Sequence, residues 1–348
     1  MELDAGDQLA APHAERVWEA APDPRRAKRT YAALDLGTNN CRLLIARAAR
    51  DGFYVVDSFS RVVRLGEGLL ASGRLSDAAQ DRALNALSVC AGKIRRREVT
   101  LARSVATEAC RRASNGARFI ERVYEETGIA LDVITAAEEA RLAVLGCQAL
   151  IEPTPEDAIV FDIGGGSTEL VLVRPRHDGQ AEMRDWVSLP WGVISLAETE
   201  LGPLDSEALR LEAYARMHGR VTAALAPFIG RTAPVLRAGE LQLLGTSGTV
   251  TTLAALQLGL PAYDRTRVDG CHVPCAAMRE IGYMLAGYAP SERAQLPTIG
   301  ADRADLIVAG CAILEAILVA FPAVRLRIAD RGIREGVLRT LIARDGER

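Results

Sequence analysis

Residues 158–173 read as a strand, a run of three glycines and a second strand, in the order A-I-V-F-D-I-G-G-G-S-T-E-L-V-L-V. The apolar segments 159–163 and 169–173 predict buried strands, and the glycine run between them predicts a tight turn. Because glycine has no Cβ, we expect this turn to adopt positive φ and to let a ligand approach its backbone. The chain must therefore fold around a buried β-hairpin.

The turn of this hairpin has the chemistry of a phosphate site. Consecutive free N–H groups in a glycine-rich turn form a concavity that suits phosphate oxygens. Asp162 ends the first strand and Glu169 begins the second, so two carboxylates flank the concavity. Carboxylates beside a phosphate site indicate metal-assisted phosphate chemistry. An ordinary hairpin, the alternative, needs neither the glycine run nor the acids.

A second stretch has the same pattern 127 residues earlier. Asp35 and Asp162 each precede an apolar residue and a glycine, and a leucine lies eight positions after each aspartate. Such an offset is too long for a solenoid repeat and favours a duplicated domain, with chance similarity as the alternative. At the seventh position the first hairpin has Arg42 and the second Glu169. This difference predicts that the second hairpin holds metal and water while the first grips phosphate.

A third glycine-rich loop, Gly-Thr-Ser-Gly-Thr at 245–249, joins a short buried strand to a helix. The first N–H groups of a helix have no partner within the helix, and the helix dipole favours an anion there. Ser247, Gly248 and Thr249 are therefore candidate phosphate ligands. A helix start that is simply capped by serine or threonine is the alternative.

Composition sets limits on the class of protein. A chain of 348 residues predicts two domains, and strands that alternate with helices predict an α/β fold with a mixed sheet. A net charge of −3 argues against coating of nucleic acid. The seven cysteines include no C-x-x-C pair, which favours a reducing cytoplasm. The apolar segment 306–321 is short for a membrane span, so we predict a buried helix and no membrane partner.

Several motifs follow one another along the chain. They are D-L-G-T-N-N at 35–40, A-T-E-A-C-R at 106–111, E-E-A-R at 138–141, D-I-G-G-G-S-T-E at 162–169 and G-I-R-E-G at 332–336. Their order resembles the actin-like superfamily, in which two related lobes clamp a phosphate compound between paired hairpins. Within it, the chain is most similar to the exopolyphosphatase/guanosine pentaphosphate phosphatase (Ppx/GppA) family.

The resemblance implies an α/β fold of two actin-like, or ribonuclease H-like, lobes with the active site in the cleft between them. Each lobe is expected to be a mixed sheet flanked by helices. We assign residues 1–28 to a disordered leader, 29–134 plus 328–348 to lobe I and 135–327 to lobe II. The chain resembles short members that lack the C-terminal helical domain of HD type, which in longer members helps to hold long polyphosphate.

The resemblance also implies an activity, an exopolyphosphatase that releases orthophosphate from the ends of inorganic polyphosphate. A cytoplasmic homodimer is expected, with Mg²⁺ or another divalent cation as cofactor and room for a monovalent cation. Matched to the motifs, Glu139 is the base that activates water, whereas Glu138 is a solvated surface residue. Arg111 clamps a phosphate.

The metal ligands implied in this way are Asp35, Asp162 and Glu169, of which the last two also orient the water. The N–H groups expected to cradle the end of the substrate belong to Gly37, Thr38, Asn39, Gly164, Gly165, Gly166, Ser167, Ser247, Gly248 and Thr249. A basic track for a polyanion is expected if several arginines of lobe I converge on the cleft. The candidates are Arg95, Arg96, Arg97, Arg103, Arg111, Arg112, Arg118 and Arg122.

Three alternatives remain open from the sequence. The first is a guanosine pentaphosphate (pppGpp) 5′-phosphohydrolase, because this substrate also ends in a phosphoanhydride. The second is a non-catalytic sensor that binds a nucleotide alarmone in the cleft. The third is an actin-like sugar kinase or chaperone ATPase, for which the motifs are a poorer match.

Overall fold

The computed structural model describes residues 29–50, 52–154, 157–176, 179–202, 204–234, 236 and 241–346. The leader expected at residues 1–28 lies outside these ranges. Within them, no helix is both long enough and apolar enough to cross a membrane.

The first sheet contains five of the described strands. They are β1 (Thr30–Leu36), β2 (Asn40–Ala49), β3 (Gly52–Val62), β4 (Leu101–Ala106) and β5 (Leu131–Val133). Their order across the sheet is β3-β2-β1-β4-β5. β1 and β2 form the first hairpin, in which Asp35 lies opposite Arg42.

The second sheet contains six of the described strands. They are β6 (Asp157–Ile163), β7 (Thr168–Pro175), β8 (Ala181–Leu189), β9 (Leu241–Thr246), β10 (His272–Pro274) and β11 (Arg325–Ala329). Their order is β10-β11-β9-β6-β7-β8, and Asp162 lies opposite Glu169 in the second hairpin. β6 is antiparallel to β7 and parallel to β9, just as β1 is antiparallel to β2 and parallel to β4. This shared topology confirms the predicted duplication.

Helices connect the strands. They are α1 (Leu69–Ser72), α2 (Asp77–Arg96), α3 (Glu108–Arg112), α4 (Gly116–Thr127), α5 (Ala136–Cys147), α6 (Val193–Glu200), α7 (Glu207–Thr232), α8 (Gly248–Gln257), α9 (Arg265–Val268), α10 (Cys275–Gly287), α11 (Pro290–Ala294), α12 (Ile307–Ala320) and α13 (Ile333–Gly346), with a 3₁₀ turn at Gln148–Leu150. The apolar segment 306–321 contains α12, most of whose side chains are buried, as the sequence predicts.

Both faces of the first sheet are covered, because successive side chains of a strand point to opposite faces. Ala32, Leu34 and Leu36 of β1 belong to the apolar cluster that includes α2. Tyr31 and Ala33, which alternate with them, belong to a cluster that includes α5 and α13. The sequence of β1 is accordingly apolar on nearly every residue up to Asp35.

Helix α5 packs against both sheets. Leu142 and Ala143 belong to the cluster under the first sheet, whereas Ala140 and Val144 belong to the cluster under the second. The helix that carries Glu139 therefore lies between the lobes. Strand β11, which spans the lobe boundary expected after residue 327, pairs with β9 of the second sheet up to Ala329.

Glycines allow α5 and α13 to approach each other very closely. A Cβ atom on Gly336 of α13 would lie 2.1 Å from the carbonyl oxygen of Leu142 in α5. A Cβ atom on Gly146 of α5 would lie 2.0 Å from the carbonyl oxygen of Gly332, just before α13. Because both obstacles are backbone atoms, no side-chain rotation can relieve them.

The substitution Gly336→Ala tests this packing. We expect it to lower the free energy of unfolding by about 1–3 kcal/mol, the usual cost of forcing a methyl group into a filled interior. Urea denaturation measures the change. Gly219→Ala in α7 is the matched control, because a Cβ atom there meets nothing within 4 Å. The control should be neutral or stabilising, and an equal loss in both variants would contradict the argument.

Candidate active site

The two hairpin turns have the same internal hydrogen bond. The N–H of Gly37 donates to the carbonyl oxygen of Asn40 at 2.9 Å in the first turn. The N–H of Gly164 donates to the carbonyl oxygen of Ser167 at 2.9 Å in the second. The repeated sequence pattern thus produces a repeated turn, one on each lobe.

Glycine is required in the second turn by close approach. A Cβ atom on Gly165 would lie 2.9 Å from the backbone nitrogen of Asn39, and one on Gly166 would lie 2.9 Å from Oγ1 of Thr38. The turns of the two lobes therefore touch. The turn does not use the positive φ that glycine allows, because Gly164, Gly165 and Gly166 are absent from the residues with positive φ.

A cavity of about 120 Å³ lies where the two turns meet. Its walls contain every site residue expected from the motifs except Arg111. They are Asp35, Gly37, Thr38, Asn39, Glu139, Asp162, Gly164, Gly165, Gly166, Ser167, Glu169, Ser247, Gly248 and Thr249. Residues from four separate parts of the chain thus converge on one small volume, which we call the terminal cavity.

Five carboxylates line the terminal cavity, and four of them have a raised pKa. Burial raises the pKa of Glu139 well above its usual range, and the nearby Glu169 raises it further. Burial raises the pKa of Asp162 to about 7, again with a contribution from Glu169. Burial is also the main cause of the raised pKa values of Asp35 and Glu169. Such crowding of acids is typical of a site that receives a cation or a proton.

Two oxygen atoms at this site lack a hydrogen-bond partner among the described residues, Oδ1 of Asp35 and Oδ1 of Asn39, and both are buried. In the same ranges, no group of three His, Cys, Asp or Glu side chains is arranged to hold a metal ion by itself. Mg²⁺ commonly uses only one or two carboxylates and completes its shell with water and substrate phosphates. The donor set therefore fits such an ion better than a structural metal.

Arg111 lies behind the cavity and contacts the predicted base. Its Nη1 and Nη2 atoms lie 3.3 and 3.2 Å from Oε2 of Glu139. Nε and Nη2 also donate to Oε2 of Glu108 at 3.1 and 2.5 Å, and Nη1 donates to the carbonyl oxygen of Ile134 at 2.6 Å. The guanidinium expected to clamp phosphate thus holds two glutamates.

The third loop reaches the cavity through a strained residue. Ser247 has a φ of 151°, and its side chain accepts a hydrogen bond from the N–H of Val250 at the start of α8. A non-glycine residue in this region costs energy, and such strain is commonly retained at functional sites. The loop joins β9 to α8 as predicted, so the N-terminus of α8 lies at the cavity wall.

A larger chamber of about 1030 Å³ adjoins the terminal cavity and shares Asp35, Arg42, Asp162 and Arg303 with it. Its walls contain the arginines Arg42, Arg61, Arg64, Arg82, Arg265, Arg303, Arg331 and Arg334. None of the eight arginines of residues 95–122 proposed as a basic track lines the cavity or the chamber. Several of them, such as Arg103 and Arg122, are paired with carboxylates outside the cavity.

The sequence did not single out Glu108 and Arg303, although both line the terminal cavity. A signal existed for Glu108, which lies two residues after the end of β4, because the carboxyl ends of neighbouring parallel strands meet at one edge of a sheet. Arg303 lies in an irregular segment before α12, and no periodic pattern marks it.

Comparisons with known proteins agree with this architecture. The Ppx/GppA phosphatase family matches residues 44–344. Exopolyphosphatase 2 of Mycobacterium tuberculosis is 34% identical over 297 residues, which cover 82% of this chain and 88% of that protein. The crystal structure of an exopolyphosphatase from Cytophaga hutchinsonii has a TM-score of 0.81 at 25% identity, covering 91% of this chain and 98% of that one. A family member from Aquifex aeolicus has a TM-score of 0.74 at 29% identity, with the same coverage.

The relatives named exopolyphosphatase support a phosphoanhydride hydrolase, and two actin-like lobes whose turns meet over buried acids agree with that class. The order of the motifs and the duplicated sheets lead to one family within that class. The chain belongs to the Ppx/GppA phosphatase family, as the sequence motifs predict.

The raised pKa of Asp162 predicts how stability depends on pH in the absence of cations. Its pKa is about 7 in the folded protein, compared with the usual value of 3.8 for an aspartate in an unfolded chain. Between pH 3.8 and 7, Asp162 is therefore protonated in the folded state and ionised in the unfolded state. The free energy of unfolding should therefore fall as pH rises through this window, by up to about 1.4 kcal/mol per pH unit. Asp162→Asn should reduce this slope and stabilise the protein at pH 8.

Urea denaturation in EDTA between pH 5 and 8 measures both effects. Asp57→Asn is the control, because Lys93 and Arg97 hold the pKa of Asp57 at about 2. Asp57 stays ionised throughout this range, so its removal should destabilise the protein without changing the slope. A slope that Asp162→Asn leaves unchanged would refute the effect of burial.

Proposed function

We propose that this protein is an exopolyphosphatase, which hydrolyses the terminal phosphoanhydride bond of inorganic polyphosphate and releases orthophosphate. One observation carries the proposal most directly. The carboxylate of Glu139, only 7% exposed, lies in the same small cavity as the turns of both lobes. A phosphate held by both turns would have a base within its own pocket. The relatives named exopolyphosphatase support polyphosphate over guanosine pentaphosphate.

The backbone of the two turns and of the third loop binds the terminal phosphate. The cavity lining includes Thr38 of the first turn, Gly165 of the second turn and Gly248 at the start of α8, whose N–H groups are the donors. Neutral donors of this kind balance phosphate charge without adding mobile side chains. Because the donors belong to both lobes, the phosphate is fixed only when the lobes are together, as they are here.

Glu139 accepts a proton from the attacking water molecule. Since Arg111 binds only Oε2 of Glu139, Oε1 remains for the water. The same guanidinium opposes the effect of burial and favours the ionised form that a base requires. The water oxygen becomes the new oxygen of orthophosphate, and the shortened chain leaves as a phosphate anion.

One or two of the carboxylates of Asp35, Asp162 and Glu169 would hold a divalent cation whose shell water and substrate phosphates complete, and Mg²⁺ is the ion that suits so few carboxylate ligands. When bound, such an ion neutralises charge on the phosphoryl oxygens. The free Oδ1 of Asp35 supports this assignment. Glu169 is held in place by Ser188, whose Oγ donates to Oε1 at 2.7 Å. A homodimer and a cytoplasmic location stay predictions.

The chamber receives the rest of the polyphosphate chain. Arg64, Arg82, Arg265 and Arg331 pair there with carboxylates. The other four arginines, Arg42, Arg61, Arg303 and Arg334, have no carboxylate partner within the described part of the chain. Unpaired guanidinium groups in an enclosed space attract a polyanion strongly. Arg303 lies at the junction of the two spaces, where the second phosphate would follow the first.

Phosphate release from polyphosphate in the presence of Mg²⁺ tests the activity, and Glu139→Ala tests the base. We expect the substitution to lower kcat by about 10²–10⁴-fold, the usual contribution of a general base. Glu138→Ala is a matched control, because Glu138 pairs with Arg103 and Arg141 on the outside of α5. A kcat for Glu139→Ala equal to that of the control would remove Glu139 from the mechanism.

The chamber is tested by Arg303→Ala with long polyphosphate as substrate. Losing one charged hydrogen bond should raise KM by about 10-fold and affect kcat less. Arg331→Ala serves for comparison, because Arg331 also lines the chamber but its Nε lies 2.7 Å from a carboxylate oxygen of Asp269. Its KM should change much less. Equal changes in both variants would show that the chamber acts only through overall charge.

A further inference from the structure

Glu108 is an acid at a position where a phosphate-binding site would not be expected to retain one. It is the first residue of α3, and its side chain lies on the wall of the terminal cavity. Its Cγ atom packs so closely on the second turn that a Cβ atom on Gly166 would lie 3.0 Å from it. The side chain is only 15% exposed. A buried acid beside a polyanion must be stabilised by something else.

Arg111 supplies that stabilisation, and all its guanidinium N–H donors are occupied by protein acceptors. A guanidinium group has five N–H donors in a fixed plane. The five contacts of Arg111 are two with Glu108, two with Glu139 and one with the carbonyl oxygen of Ile134. No donor is left for a phosphate in this arrangement, so Arg111 acts on the two glutamates.

The geometry shows which contacts fix the orientation of Arg111. Glu108 accepts from Nε and Nη2, the edge of the guanidinium that the carbonyl of Ile134 does not touch. The contacts with Glu139 are longer, at 3.3 and 3.2 Å, than the 2.5 Å contact of Nη2 with Glu108. Without Glu108 the guanidinium would lose both of these contacts, including its shortest one, and would be free to rotate towards the cavity.

We propose that Glu108 is a positioning residue for the hydrolysis. It holds Arg111 in the orientation that fixes Oε2 of Glu139, so that Oε1 faces the attacking water. Glu108 touches neither the substrate nor the water and acts only through Arg111. This inference rests on the proposed function, because it assigns a purpose to the orientation of Glu139.

A simpler role for Glu108 predicts a different result. If it were merely an acid on the cavity wall, its removal would weaken repulsion of the polyanion and lower KM, with kcat unchanged. Removing a positioning residue should instead lower kcat and leave KM nearly unchanged. The ground-state contacts with substrate remain, but the base loses its alignment. The division between kcat and KM therefore separates the two roles.

A double-mutant cycle with Glu108→Ala, Arg111→Ala and the double variant tests the proposal. We expect Glu108→Ala to lower kcat by about 10–100-fold with little change in KM, in the range for a misplaced catalytic group. In the Arg111→Ala background, removing Glu108 should cost nothing further. Independent, multiplying effects on kcat would overturn the proposal, as would an unchanged kcat in Glu108→Ala.

Two further variants guard against loss of folding. Glu108→Gln retains one acceptor oxygen, so it should keep more of kcat than Glu108→Ala. Glu126→Ala removes a glutamate whose Oε1 lies 2.7 Å from Nε of Arg122 elsewhere on lobe I, and it should keep the full kcat. If Glu108→Gln loses as much activity as Glu108→Ala while both fold, an aligned acceptor is not what matters and the proposal fails.

A crystal structure of Glu108→Ala, which removes both acceptor oxygens, tests the positioning without relying on activity. We expect the contact between Arg111 and Oε2 of Glu139 to lengthen or break. An unchanged Arg111 would overturn the proposal even if activity falls. If the wild-type protein releases no phosphate from polyphosphate, the proposed function fails, whereas this crystal structure still decides whether Glu108 orients Arg111.

Discussion

Four carboxylates, those of Asp35, Glu139, Asp162 and Glu169, are buried together between the two lobes. The rest of the structure depends on how their negative charge is balanced. Burial raises the pKa of each, to about 7 for Asp162 and well above the usual range for Glu139, and repulsion from Glu169 raises the pKa of these two further. An isolated acid in such a place would simply remain protonated. Arg42 faces Asp162 from the other lobe, and Arg111 braces Glu139 from behind. The cost in stability is tolerated because a substrate with its cations completes the balance.

Keeping these acids together requires backbone contacts that only glycine permits. Gly165 lets the second turn touch Asn39, and Gly336 lets α13 lie directly on α5. The first contact sets the distance between the turns. The second sets the position of the helix that carries Glu139, which packs against both sheets. In the proposed mechanism, small shifts at either contact would misalign Glu139 with the phosphate, and enzymes gain much of their rate from such alignment.

Sequence patterns predicted the parts of the site that depend on local structure. The match between the hairpins predicted two similar turns, and the structure shows Asp35 opposite Arg42 and Asp162 opposite Glu169 at equivalent positions of the two hairpins. Side-chain partnerships across the fold were not predictable in this way. Arg111 was expected to bind phosphate, and the arginines of residues 95–122 were considered for a basic track. Tertiary packing determines whether each of these arginines pairs with a carboxylate or lines the cavity. The same packing brings Glu108 and Arg303 to the site.

The central step of the proposed hydrolysis is the attack of water on the terminal phosphorus of a polyphosphate chain that is held between the two turns. Hydrolysis of polyphosphate in water enriched in ¹⁸O, followed by ³¹P NMR, observes that event directly. Each released orthophosphate molecule should contain one labelled oxygen, and the chain should shorten from its end. Label in the shortened chain instead of orthophosphate, or cleavage at internal bonds, would contradict this mechanism.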